Sequence, residues 1–314
     1  MKILQVTAPK RFSVLDVPVP TPEAGEVLMK VTAVTTCPQW DLHLNHNEPM
    51  FVGHQFHYPY TPGQPGHEAV GVIAALGEGK TSLSVGQRVS AWRDPGHSHP
   101  GCYAQYVIHR ADNVIPVPEE LPDAALAPVE LAMCVATVFR NLLLLDGLHG
   151  KTVAISGLGS AGLVAMQMAR AEGASQVIGL DLNAERREYA LSLGADLCYD
   201  PSEAPPDLSF HTGVDCVGLK ASAEFLLDHS TEVVALFGVQ REDYLFSPRH
   251  YGLTLLGYKG HSRASAEYAV NLIRTGKLDL APLVTHSFPL EDYGTAIDLL
   301  EKQQAIKVCF LPWA

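Results

Sequence analysis

No CxxC pair occurs in the chain, and its six cysteines (Cys37, Cys102, Cys134, Cys198, Cys216 and Cys309) are widely scattered. A disulfide framework needs closely spaced partners, so this is not one, and a reduced, cytoplasmic setting fits better. Lys/Arg-rich runs are missing too: 22 basic residues stand against 34 acidic ones, a net charge of −12. Such a balance argues against nucleic acid or an anionic membrane surface as partner. No run of ~18 apolar residues is present, so no membrane span is expected, and "RNLLLLDGL" is too short to be one. The opening "MKILQVTAPKRF" lacks the long apolar core of a signal peptide. Internal repeats and low-complexity tracts are also absent, and the Pro/acid-rich "DPSEAPPDLS" is short enough to be a surface loop.

What is present is an ordinary globular composition, 47% hydrophobic and 18% charged, over 314 residues. Single cores tend to split beyond ~250–300 residues, so two domains are expected. Histidine is the notable exception to ordinariness, since eight of the 14 fall between residues 43 and 109.

The first third reads as short strands broken by Pro and Gly. "KILQVT", "FSVLDVPVP", "EVLMKVTAVTT", "EAVGVIAAL", "QRVSAW" and "YAQYVIHR" are rich in Val, Ile and Tyr with partial alternation. A small, mostly antiparallel β-domain follows from that pattern. Near residue 120 the character changes, and "LPDAALAPVELAMCVATVFRNLLLLDG" has helical spacing. Strands and helices then alternate through "KTVAIS", "AGLVAMQMARA", "QVIGLDL", "AERREYALSLG", "GVDCVG", "EVVALFGVQ" and "LTLLGYKG". Alternation of this kind implies a parallel sheet covered by helices. The tail reads helix, loop, helix, strand, and its last strand is expected to return to the N-terminal β-domain. The domains predicted are therefore residues 1–125 with 280–314, and residues 126–279.

"VAISGLGSAG" places Gly157, Gly159 and Gly162 as GxGxxG directly after a strand and at the opening of a helix. An acidic residue, Asp181, ends the next strand 24 positions after Gly157. Gly157 permits the tight turn, Gly159 lets backbone approach a pyrophosphate, and Gly162 lets helix and strand pack closely. Leu158, Ser160 and Ala161 complete the loop, whose helix N-terminus favours phosphate charge. Asp181 would accept hydrogen bonds from ribose hydroxyls and repel a 2′-phosphate, so NAD is expected over NADP. Arg186 and Arg187 follow closely and weaken that preference, unless they only decorate an exposed helix face. The bland alternative is a glycine turn in a flavodoxin-like sheet that binds no dinucleotide.

A second motif lies in "GQPGHEAVGVI", where His67 and Glu68 interrupt an apolar run. Catalytic zinc takes N, S or O ligands and keeps a place for water or substrate. A GHE triplet alone is more often structural than ligating. Here, however, "GHEAVGVIAALGEGKTSLSVGQRV" resembles the GHE-x-x-G-x-V…VG…GDRV stretch of the zinc-dependent medium-chain alcohol and polyol dehydrogenases. The glycine fingerprint follows at that family's spacing, and the C-terminal third is similar as well.

The resemblance implies a GroES-like β-domain carrying zinc and a Rossmann doubly wound parallel-sheet domain carrying NAD, an α/β architecture overall. By position it implies Cys37 and His67 as zinc ligands, with Glu68 a ligand directly or through water. Glu130, or failing that Cys134, supplies a further ligand from "PVELAMCVAT". Thr137 and the backbone at Val217, Phe237 and Gly238 are implied around the nicotinamide. The family also implies a homodimer or homotetramer.

Two departures stand out. The family pattern C-x-S/T-D-x-H is replaced by Cys37-Pro38-Gln39-Trp40-Asp41-Leu42-His43, with one extra residue and no Ser/Thr to relay the substrate proton. Asp41 matches the acid that orients the histidine ligand from behind. Cys37 must then reach the metal through a bulged turn, and His43 is either a substitute relay or a surface residue. The four-cysteine lobe for a structural zinc is reduced to Cys102, so that zinc is not expected. His97 and His99 form an H-x-H that could bind metal but reads more readily as a short solvated loop, and His54 and His57 either line the substrate site or decorate a loop.

The function expected is zinc- and NAD-dependent hydride transfer to or from a small alcohol or polyol, or the matching ketone or aldehyde. Loop 43–60, rich in His and Tyr, leans toward a hydroxylated substrate. A zinc-free reductase of the quinone oxidoreductase type is the first rival, favoured by the Cys37 spacing and opposed by Cys37, His67, Glu68 and Glu130 together. A non-catalytic NAD(H)-binding regulatory protein is the second, favoured by the missing relay.

Overall fold

The computed structural model describes residues 1–258 and 260–314. The chain opens with strands β1 (Lys2–Ala8), β2 (Arg11–Asp16) and β3 (Glu26–Thr35), then helix α1 (Pro38–His46). Strands β4 (Glu68–Leu76), β5 (Arg88–Ala91), β6 (Tyr106–Arg110) and β7 (Val114–Pro116) follow, with helices α2 (Asp123–Leu126) and α3 (Val129–Leu144). An alternating stretch comes next: β8 (Thr152–Ser156), α4 (Ser160–Ala171), β9 (Gln176–Leu180), α5 (Ala184–Ser192), β10 (Leu197–Tyr199), β11 (Phe210–Asp215), α6 (Lys220–His229), β12 (Ser230–Leu236) and β13 (Thr254–Gly257). The chain ends with α7 (Arg263–Arg274), β14 (Val284–Phe288), α8 (Tyr293–Glu301) and β15 (Lys307–Phe310).

Two compact units result. One holds Met1–Met133, Ser262–Val270 and Leu280–Ala314, and the other holds Cys134–His261 and Asn271–Asp279. In the first, a seven-stranded sheet runs β14-β15-β3-β4-β5-β7, with β6 added against β3. Its pairs are antiparallel except β14 with β15. The C-terminal strand does return to the β-unit, pairing Cys309 with Thr35 and Phe310 with Val34. The core beneath gathers alternating residues of these strands, including Val27, Met29, Val31, Ile73, Val89 and Phe310, with Tyr103 from the loop before β6.

The second unit carries six parallel strands in the order β10-β9-β8-β11-β12-β13. Its central strands, "TVAIS" and "QVIGL", are apolar almost throughout because both faces are buried. Strand order reverses between β8 and β11, and in open α/β sheets a ligand binds outside the carboxyl ends of the strands at that point. The loops there begin at Gly157 and Cys216.

Three local differences from the sequence reading have physical causes. The single helix expected over the "LPDAAL…" stretch is broken into α2 and α3, with Pro128 between them denying the backbone a donor. The segment Asp123–Leu144 is nonetheless long and apolar enough to cross a membrane by composition, but 72% of its apolar window is buried within the protein. It is a core helix. β14 falls where the sequence predicts a loop, because "VTHSF" puts three polar residues in a row between Val284 and Phe288 and shows no alternation. α1 was also missed, since "PQWDLHLNH" lacks an apolar stripe.

Candidate functional site

In the β-unit, the residue inserted after Cys37 turns out to make a helical turn. Cys37 caps α1, Pro38 fills its first position with the φ that a helix needs, and the Asp41 N–H donates to Cys37 O at 2.9 Å. With Cys37 and Asp41 now four apart, the Cys37 N–H in return donates to Asp41 Oδ2 at 2.8 Å. Tyr103 Oη donates to the same oxygen at 2.8 Å and Tyr293 Oη to Oδ1 at 2.9 Å. Burial pushes the Asp41 carboxyl up to about 6, against the pull of these hydrogen bonds. Asp41 therefore braces the Cys37 backbone and does not hydrogen-bond His67, contrary to the expectation from its position.

His67 is oriented by Pro65 instead, whose carbonyl lies 2.7 Å from Nδ1. A carbonyl can only accept, so Nδ1 carries a hydrogen and Nε2 is the ring atom left to face a ligand. Ligand atoms of Cys37, His67 and Glu68 all lie within 4.8 Å of one another, and Glu130 Oε2 is 3.9 Å from His67 Nε2. Burial lowers the His67 pKa, but Cys37, Glu130 and Glu68 outweigh it and hold the imidazole well above its ordinary value. These donors converge on a point that demands positive charge, and one S, one N and carboxylate O atoms suit zinc.

Sequence reasoning missed Lys307. It is fully buried, with Nζ 2.6 Å from both carboxylate oxygens of Glu68 and 2.7 Å from Thr36 O. Thr35 Oγ1 donates to Glu68 Oε2 at 3.1 Å. Burial raises the Glu68 pKa, and Lys307 pulls it back. No local signal could have found this pair, because the partners are 239 residues apart. His43 is half-buried on α1 with Nδ1 3.2 Å from the carbonyls of Glu48 and Pro49, and the structure does not bring it into the ligand group.

In the other unit, Gly157 ends β8 with φ +87°, and a Cβ there would meet Val217 Cγ2 at 2.7 Å. At Gly162 a Cβ would strike Gly157 O at 1.8 Å, which is why helix α4 can lie so close. Gly159 caps α4 without a side chain and faces open space, where a Cβ would narrow the approach to the first-turn amides of Ser160 and Ala161. Asp181 accepts the N–H groups of Leu158 and Asn183, each at 2.8 Å, and Arg186 lies 3.9 Å from its carboxylate. Arg187 is tied to the Asp181 and Leu182 carbonyls and to Asp200. The Thr137 hydroxyl on α3 is buried without a partner among the described residues.

Buried Asp215, unmarked in the sequence, organises the neighbouring loops. Its carboxylate accepts from Val217 N, Gly218 N, Ser222 Oγ and Gln240 Nε2, while its carbonyl accepts from Phe237 N and Gly238 N. Fixed glycine turns, an open helix N-terminus and the orphaned Thr137 hydroxyl fit a dinucleotide. Gly162→Ala is expected to cost ~1–3 kcal/mol by overpacking and to weaken NADH binding, leaving zinc content unchanged. Urea unfolding, NADH fluorescence titration and metal analysis check it.

Both parts of the chain resemble known proteins. Residues 23–119 match the model of the alcohol dehydrogenase GroES-like domain, and residues 161–262 that of the zinc-binding dehydrogenases. The chain is 30% identical to L-threonine 3-dehydrogenase of Bacillus subtilis, with 95% of this chain and 94% of that protein covered. An alcohol dehydrogenase of Geobacillus stearothermophilus is 35% identical over 61% of each. In fold, it is similar to alcohol dehydrogenase TADH from Thermus sp. ATN1, with a TM-score of 0.85, 23% identity and 99% of both chains covered. Galactitol-1-phosphate dehydrogenase from Escherichia coli gives a TM-score of 0.84 at 24% identity, with 99% of this chain and 100% of that one covered. The chain belongs to the zinc-dependent medium-chain alcohol and polyol dehydrogenase family.

Proposed function

We propose that Cys37, His67, Glu68 and Glu130 hold the zinc of this enzyme, and that the glycine loop from Gly157 to Gly162 with Asp181 holds its NAD. The enzyme is a zinc- and NAD-dependent oxidoreductase that moves hydride between a small alcohol or polyol, or the matching carbonyl compound, and NAD. The observation that carries the site assignment is the convergence of the Cys37, His67 and Glu68 ligand atoms within 4.8 Å, with Glu130 beside them. Charge supports it: with Cys37 bound as its thiolate and His67 as a neutral ligand, that thiolate and two carboxylates oppose the single cation of Lys307, which leaves two negative charges for a divalent ion to balance.

Zinc supplies a Lewis acid for the substrate oxygen and NAD a hydride acceptor at its nicotinamide. The chain's own residues do the positioning. Asp41, held by Tyr103 and Tyr293, fixes the loop that presents Cys37. Pro65 fixes the tautomer of His67, and Lys307 limits how far Glu68 reaches toward the ion. Thr137, Val217, Phe237 and Gly238 border the nicotinamide. The test is NADH formation by zinc-replete protein on a panel of alcohols and polyols, where no turnover at all would favour a non-catalytic NAD(H)-binding protein.

Asp181 is assigned to the adenosine ribose, and the Arg186 guanidinium stands 3.9 Å from its carboxylate. For Asp181→Asn, kcat/KM with NAD is expected to fall ~10- to 100-fold, the worth of hydrogen bonds to a charged group. Relative use of NADP should rise. A wild-type preference for NADP would overturn the assignment. We further place the enzyme in the cytoplasm, because all six cysteines are free thiols. A homodimer or homotetramer is the assembly proposed, for which sedimentation analysis is the check.

A further inference from the structure

Beside the proposed metal ligands the β-unit gathers a group of rings in which two histidines meet the edge of the core that holds Phe56 and Tyr60. Trp40, three residues after Cys37, stacks on His97 with ring centroids 3.9 Å apart and planes at 27°. Phe56 and His54 meet the Trp40 ring edge-on at 6.2 and 5.8 Å, and Tyr60 lies 5.9 Å from His97. The His97 Nδ1 atom is buried and has no hydrogen-bond partner among the described residues. Burial and the charge of His67 hold the His97 pKa down to about 4, against the opposite pull of Asp94. His57 and His99, by contrast, are exposed.

A buried, unpaired ring nitrogen costs free energy unless something supplies its partner. A neutral imidazole can exchange a hydrogen bond with a hydroxyl, yet it offers no charge to a carboxylate or phosphate. Aromatic faces suit the C–H side of a polyhydroxylated carbon chain, while a zwitterion set against them without ionised partners is penalised. Resting on the zinc site assigned above, we propose that Trp40 and His97 form the substrate platform and select an uncharged vicinal diol or polyol. The reacting hydroxyl faces the metal ligands, and the hydroxyl on the adjacent carbon bonds His97 Nδ1.

The test uses the full-length, zinc-loaded enzyme with three substrates: 2,3-butanediol, 2-butanol and L-threonine. A site built to pair a hydroxyl disfavours an analogue that lacks it, so kcat/KM for the diol should exceed that for 2-butanol by about 30- to 100-fold. His97→Phe keeps the stacked ring and removes the nitrogen. Its diol-to-2-butanol ratio should collapse to about 1–3. The ratio is taken within one protein preparation, so partial misfolding does not mimic the result. As a readout apart from activity, the imidazole 15N resonance of His97, identified by its loss in His97→Phe, should move with the diol and not with 2-butanol. Turnover of both alcohols without a diol preference, an unchanged ratio in His97→Phe, or L-threonine as the preferred substrate would overturn the proposal and leave the zinc assignment standing. Failure to turn over any alcohol would overturn the zinc-dehydrogenase site on which it rests.

Discussion

His67→Ala is expected to bind under ~0.2 zinc per chain where the wild type holds about one, because it removes a ligand atom that Pro65 keeps pre-aligned. The loss of Lewis acidity is worth several kcal/mol at the transition state, so kcat/KM should fall by roughly 10³- to 10⁴-fold. NADH affinity should stay within a few-fold, since the glycine loop and Asp181 belong to the other compact unit. Cys37→Ser should follow the same pattern, and Glu130→Gln a weaker version, because Glu130 stands 3.9 Å from His67 Nε2. Elemental analysis, NADH titration and steady-state kinetics on the same preparations separate these effects. If metal-replete wild-type protein contains no zinc yet oxidises alcohols, the zinc-free reading takes its place.

How much of this was legible in the sequence depended on whether the cause was local. The glycines at 157, 159 and 162 announce themselves because a tight turn and a close helix approach act on the residues that carry them. A Cβ at Gly162 would sit 1.8 Å from Gly157 O, five positions away. His67 and Glu68 were visible as polar groups in an apolar strand, and apolar runs such as "TVAIS" marked the parallel sheet.

The extra residue after Cys37 was legible as a departure but not in its consequence. In one dimension it displaces the acid from the histidine it should orient. In three dimensions it closes a helical turn and hands Asp41 to the Cys37 backbone. The tyrosines that complete this brace, Tyr103 and Tyr293, come 62 and 252 residues later, and no periodicity connects them. The His-rich loop was likewise visible as composition, whereas the stacking that distinguishes His97 from exposed His99 depends on where Trp40 lands.

Lys307→Met is expected to destabilise the zinc-free protein by about 3–5 kcal/mol, the cost of leaving a buried charge without its partner. That loss should lower Tm by roughly 10 °C in a chain of this size. Lysine rarely occupies a site this buried unless paired, and here its ammonium meets both oxygens of Glu68 and the Thr36 carbonyl. Glu68→Gln in the same chain should restore most of the stability, because the uncompensated carboxylate is then gone. Zinc changes the expectation in a way that reports on Glu68. With a dication bound nearby, the carboxylate regains a counter-charge, so Lys307→Met should cost less in zinc-loaded than in chelator-treated protein. Freed from Lys307, Glu68 can also turn fully to the metal, so zinc should dissociate more slowly from Lys307→Met than from wild type. Thermal unfolding with and without chelator, and zinc release to a chromophoric chelator, measure both effects. Equal destabilisation with and without zinc would mean that Glu68 never senses the ion, and its place among the ligands would pass to Cys37, His67 and Glu130 alone.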